Sequence, residues 1–136
     1  MREILFRGKR KGIGEWVYGY YAYCTDGCEF SHRIHTTFAE TYGGENLSPV
    51  WFEVIPETVG QYTGLTDKNG KKVFTGDIVK AFGKNYQCVF DEYNFEYEFG
   101  NPKESFGLAC VYNKDVEMIG NIHDNPELLK GSVEDA

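Results

Sequence analysis

Apolar and polar positions alternate most cleanly between Tyr93 and Phe99, where Tyr93, Phe95, Tyr97 and Phe99 interleave with Asn94, Glu96 and Glu98. A period of two places the four aromatics on one face of a strand and the acidic residues on the other. Glu15 to Cys24 is equally aromatic, and its even positions Trp16, Tyr18 and Tyr20 share a face, with Gly19 marking a bend or bulge. Further strands are expected at Ile4–Phe6, Phe30–Phe38, Trp51–Ile55, Ile78–Phe82, Tyr86–Asp91, Phe106–Tyr112 and Val116–Ile119. Turn residues end each of them, as at Thr25-Asp26-Gly27, Gly83-Lys84-Asn85 and Gly100-Asn101-Pro102. No internal repeat and no long amphipathic helix is visible.

The segment from Ile55 to Lys80 carries the clearest local instruction. Apolar runs around Val59–Leu65 and Val73–Phe74 flank Asp67-Lys68-Asn69-Gly70. Asn-Gly predicts a hairpin through a type I′ turn, whose two central residues need positive φ. A second turn at Thr75-Gly76-Asp77 leads into Ile78-Val79-Lys80, so the segment reads as a β-meander. Near the end, Asp124-Asn125-Pro126-Glu127 supplies a cap, a proline at the first helical position and a first-turn glutamate. A single short helix over Pro126–Lys130 follows, closed by Gly131.

These elements predict a mainly β fold. Closely spaced short strands favour a small SH3-like barrel over Leu65–Ile119, with an adjoining N-terminal β-hairpin; a two-sheet sandwich is the alternative. The expected organisation is one domain over residues 1–136. Within it lie a hairpin region (1–54), a barrel-like core (55–130) and a tail (131–136).

The wording of several segments resembles the YopX-like proteins of phages and prophages. Met1-Arg2-Glu3-Ile4-Leu5-Phe6-Arg7-Gly8-Lys9-Arg10 is similar to that family's opening, and Glu15-Trp16-Val17-Tyr18-Gly19 to the strand after it. The Ile55–Lys80 block is the most specific part. Ile119-Gly120-Asn121-Ile122 with Asn125-Pro126-Glu127-Leu128-Leu129 resembles the closing motif. The resemblance implies a small phage-encoded β protein without assigned activity, and it brings no catalytic or ligand-binding residue with it.

Composition narrows the setting. With 136 residues and 41% hydrophobic positions, the chain can bury a core without staples. No apolar run approaches the ~20 residues that cross a bilayer. Arg2, Glu3 and Arg7 stand where a secretion signal would be apolar, so no membrane association and a bacterial host cytoplasm are expected. Cys24, Cys28, Cys88 and Cys110 are then expected to stay reduced, with Cys88 and Cys110 buried as small hydrophobes.

Charge is uneven. Residues 91–136 hold 3 Lys+Arg against 11 Asp+Glu, so 3 − 11 = −8, against −7 for the whole chain. Arg2, Arg7, Lys9, Arg10 and Lys11 make a basic start. Such a balance predicts weak, non-specific nucleic-acid binding at most, because phosphate neutralisation carries that affinity. Were nucleic acid bound by a barrel, Lys68, Lys71 and Lys72 would join those five as its positive surface.

Candidate chemistry is sparse. Cys24, Cys28, His32 and His35 are zinc-type ligands, but extended strands would hold Cys24 and Cys28 some ~13 Å apart. No bound metal or other cofactor is expected, and a hairpin accounts for the residues. Asp77 reads as a turn residue bonding backbone N–H groups rather than as a catalytic base. No phosphate loop is present. The reading is therefore non-enzymatic: an accessory protein working through protein contacts, with a homo-oligomer or a host or phage protein as partner. Tyr93, Phe95, Tyr97 and Phe99 are its expected interaction surface. An acidic decoy of a host DNA-binding protein is a further alternative, resting on the −8 of the C-terminal third.

Overall fold

The computed structural model describes residues 3–26 and 29–129. Cys28 and the tail over 131–136 lie outside them. The chain is mainly β and divides into two compact units, Met1–Gln61 and Tyr62–Ala136. The division falls inside a strand, between Gln61 and Tyr62.

In the first unit, β1 (Phe6–Lys9), β2 (Trp16–Asp26), β3 (Glu29–Thr37) and β4 (Pro49–Glu53) form an antiparallel sheet in the order β4-β3-β2-β1. The expected hairpin is β2–β3, in register from Tyr20↔His35 to Asp26↔Glu29. Residues paired across a ladder share a face. One face gathers Val17, Ile34, Phe52 and Val54 as a buried core, with Phe6, Tyr21, Val50 and Val59 packed against it. An Arg10↔Val54 bridge brings the end of β1 back to the end of β4 and curls the sheet around this core. Gly19 is required by the close approach of β3: a Cβ there would lie 2.2 Å from the His35 carbonyl oxygen. A short helix absent from the sequence reading, α1 (Phe38–Tyr42), follows β3, and the Thr37 hydroxyl caps it by accepting from the Glu40 N–H.

β5 (Gly60–Thr66) pairs with β1 through Gly60 and Gln61, and with β6 (Lys72–Phe74) through Tyr62 and Thr66. The hairpin at Asp67–Gly70 therefore forms, but its turn is not type I′. Among the described residues only Phe82 and Phe95 are non-glycines at positive φ, so Asn69 is not, while Gly70 is at +81°. Asp67 explains the difference. Its carboxylate accepts the Asn69 and Lys71 N–H groups at 2.9 Å each, which holds Lys68 and Asn69 at negative φ and leaves the reversal to Gly70.

In the second unit β7 (Asp77–Ala81), β8 (Lys84–Asp91), β9 (Glu96–Asn101), β10 (Glu104–Gly107) and β11 (Val116–Asn121) form an antiparallel sheet ordered β10-β9-β8-β7-β11. Val73, Val79, Ala81, Tyr86, Cys88, Phe99, Val111 and Val116 make its core. The Asp77 carboxylate accepts the Phe74 N–H at 2.7 Å, the turn role read from the sequence. The expected barrel is not what the described strands form: the sheet is open, ending at β10 and β11. Between those strands, where Phe106–Tyr112 reads as one strand, 3-10 turns at Leu108–Cys110 and Asn113–Asp115 take the chain off the sheet. Cys110 is consequently exposed rather than buried, while Cys88 is buried as expected. Residues 127–129 are helical after Pro126, so the described chain has two short helices instead of one.

Candidate interaction surfaces

Asp91 ends β8 and organises the tip of the β8–β9 hairpin. Its carboxylate accepts the Tyr93 N–H at 3.0 Å and the Asn94 side-chain amide at 2.7 Å. Those bonds, the amide first, hold its pKa below the ordinary carboxylate value. They also convert residues 92–95 from the expected strand into a turn, with Phe95 at φ +52°. The four-aromatic face therefore splits. Tyr97 and Phe99, 8% and 0% exposed, belong to the buried side of β9 and leave the expected interaction surface. Tyr93 and Phe95 stand out at the tip, 95% and 81% exposed. The tip is acidic too: carboxylate oxygens of Asp91, Glu96 and Glu98 lie within 4.8 Å of one another.

A second aromatic surface lies on the outer face of the first unit. Register places Tyr20, His35 and Trp51 side by side across β2, β3 and β4. The Arg33 guanidinium sits 3.8 Å over the Trp51 ring, and its Nε donates to the Ser31 hydroxyl at 2.7 Å. Periodicity revealed only the β2 part of this row. His35, Arg33 and Trp51 join it through pairings the local pattern does not encode.

On the opposite face, His32 lies opposite Tyr23, with their rings 4.7 Å apart, and is hydrogen-bonded through Nδ1 to the Tyr21 hydroxyl. Cys24 pairs with Ser31 and His35 with Tyr20. His32 thus faces away from both Cys24 and His35, so three of the four zinc-type residues do not converge; the fourth, Cys28, is outside the described residues.

Arg10, Lys11, Lys68 and Lys72, four of the eight cations of the suggested positive surface, make local contacts. Arg10 lies 4.2 Å over the Phe52 ring and 3.4 Å from Glu15. Lys11 pairs with Glu53, Lys68 with Glu117, and Lys72 sits over Tyr62. Arg7 is buried beneath the Trp16 ring, and Arg2 is outside the described residues.

These features define an antiparallel β protein with many exposed aromatic rings. The chain belongs to the YopX family: the family model described as YopX protein matches residues 5–130. No curated protein matches it. The crystal structure of protein EF1440 from Enterococcus faecalis is similar in fold, with a TM-score of 0.56 over 95% of this chain and 99% of that one, at 19% identity.

Proposed function

We propose that the protein is a non-enzymatic phage or prophage accessory protein that works in the host cytoplasm through protein–protein contacts and assembles with copies of itself. Exposure of Tyr93 and Phe95 at the β8–β9 tip carries the reading. Aromatic side chains are enriched at the centres of protein interfaces, where they bury much area at little entropic cost. The surrounding carboxylates keep such a tip soluble until it is covered. Sedimentation at micromolar concentration tests this: a dimer or larger species is expected, weakened by Tyr93→Glu. A monomer at ~100 μM would defeat it, since that bounds any self-affinity at millimolar strength or weaker.

A second reading rests on the Tyr20–His35–Trp51 row with Arg33 stacked on it. Aromatics with an interleaved cation are what single-stranded nucleic acid stacks upon. Quenching of tryptophan fluorescence by an oligonucleotide, lost in Arg33→Ala, would favour it; no quenching at low salt would remove it.

A further inference from the structure

Stability does not explain the residue at the β8–β9 tip. Among the described residues the non-glycines at positive φ are Phe82 and Phe95, both at +52°. That backbone region disfavours a bulky side chain and suits Gly, Asn or Asp. Phe82 packs edge-on against Phe106, with ring centroids 5.7 Å apart. Phe95 meets no other ring among the described residues and is 81% exposed, close in sequence to a Tyr93 that is 95% exposed. Strain retained at an exposed, unpacked residue marks a functional position.

Charge restricts what can cover this tip. Residues 91–99 carry Asp91, Glu92, Glu96 and Glu98 and no Lys or Arg, a charge of −4. Two such tips repel one another, so a surface that receives one needs cations as well as rings.

The outer face of β2–β4 offers both. Its row Tyr20–His35–Trp51 is followed on the same side of the sheet by the row Ala22–Arg33–Glu53. Tyr20 and Trp51 are 65% and 48% exposed. They stand two strand spacings, about 10 Å, apart. The Arg33 guanidinium, 3.8 Å over the Trp51 ring, is a cation fixed among these aromatics. Lys11 pairs with Glu53 at 3.5 Å, so Arg33 and Lys11 against Glu53 leave the patch positive.

We propose that the β8–β9 tip of one copy docks on the outer face of β2–β4 of a second copy. Tyr93 and Phe95 then meet Tyr20 and Trp51, and the tip carboxylates turn towards Arg33. The inference rests on the self-assembly reading above and names the surface that receives the tip. A guanidinium stacks on a ring through its plane and binds carboxylates through its edge, so Arg33 serves both contacts at once. The four rings expose on the order of 600 Å² together, taking ~200 Å² for a fully open ring. A contact of that size belongs to the weak, transient class. It joins unlike surfaces, so every copy carries one tip and one receiving face.

Sedimentation of single variants and of their mixtures tests the pairing. Tyr93→Glu disables the tip, and Arg33→Glu or Tyr20→Glu disables the face. Tyr20 is an open position, and thermal unfolding of each variant checks that it folds. The expected result is association of wild type at micromolar concentration, weakened at least tenfold in each variant alone. Tyr93→Glu mixed with either face variant should form a 1:1 complex through the one intact tip and the one intact face. Raising salt from about 0.05 M to about 0.5 M should weaken the wild-type association, whereas tip-to-tip contact would tighten as its repulsion is screened. Association lost in Tyr93→Glu but kept in both face variants would overturn this inference and leave the tip as an interaction surface. A mixture without a complex, or association that tightens with salt, would also overturn it. A monomer throughout would overturn both readings.

Discussion

The Asp67 carboxylate accepts the Met118 backbone N–H at 2.9 Å, tying the β5–β6 turn to β11 across 51 residues of sequence. Its other oxygen takes the Asn69 and Lys71 N–H groups. Burial pushes the Asp67 pKa up, but the backbone donors from Met118, Lys71 and Asn69 outweigh it and hold the group below its ordinary value. Asp67→Ala leaves three donors without their acceptor and should cost about 3 kcal/mol by urea denaturation.

The same depressed pKa sets an acid limit. A carboxylate bound more tightly as the anion contributes stability that is complete above its unfolded pKa of 3.8 and lost as pH falls through the lower folded value. Wild type should lose stability over this range, and Asp67→Ala should lose less of it. A parallel loss in both would show that other carboxylates govern acid unfolding.

Tyr86 presents the opposite case. Its buried hydroxyl donates to Glu104 at 2.5 Å, and burial first, then that bond and the Glu104 charge, push its pKa up to about 12. The folded state holds this proton more tightly than the unfolded state does. The stability it contributes is complete below pH 10 and declines as pH rises from 10 towards 12. Tyr86→Phe should flatten that decline, and ultraviolet titration should find one tyrosine ionising late in wild type alone.

Gly19→Ala should cost about 3 kcal/mol, the upper end for overpacking, because its Cβ would overlap the His35 carbonyl oxygen. Thermal unfolding of the pure variant would show this, and a change within ~0.5 kcal/mol would mean that the β2–β3 approach relaxes freely.

The aromatic stretch should divide by residue. Tyr97→Glu places a charge in a buried position and should cost about 3 kcal/mol or more of stability. Tyr93→Glu, at a fully open position, should change stability by less than ~0.5 kcal/mol and act only on association. Equal loss in both, measured in denaturant, would mean that Tyr93 packs.

Local chemistry made much of the fold legible. The hairpins β2–β3 and β5–β6, the Asp77 turn and the helix after Pro126 follow from residues within a few positions of one another. Their signals are turn preferences and alternation, which need no distant partner. The same local logic located an aromatic surface around residues 93–99 but not its extent, because alternation cannot distinguish a strand from a turn that a capping carboxylate imposes. The turn at 92–95 exists because Asp91 can reach back to Tyr93 and Asn94. Phe99 is buried because Val73, Val79, Val111 and Val116 from other elements join it in one core, and Tyr97 packs against Phe90 across the ladder.

What the tertiary structure alone decided is which edges and faces remain uncovered. The pairing of β2 passes from β1 over Trp16–Gly19 to β3 from Tyr20 onward, and the protection of β11 depends on a turn 51 residues away. His35 and Trp51 became neighbours of Tyr20 through register, and the expected strand Phe106–Tyr112 is cut short at Gly107 by the 3-10 turn at Leu108–Cys110. Backbone pairing links residues far apart in the chain, so an unpaired edge is a property of the whole assembly of strands. No local pattern of side chains records it.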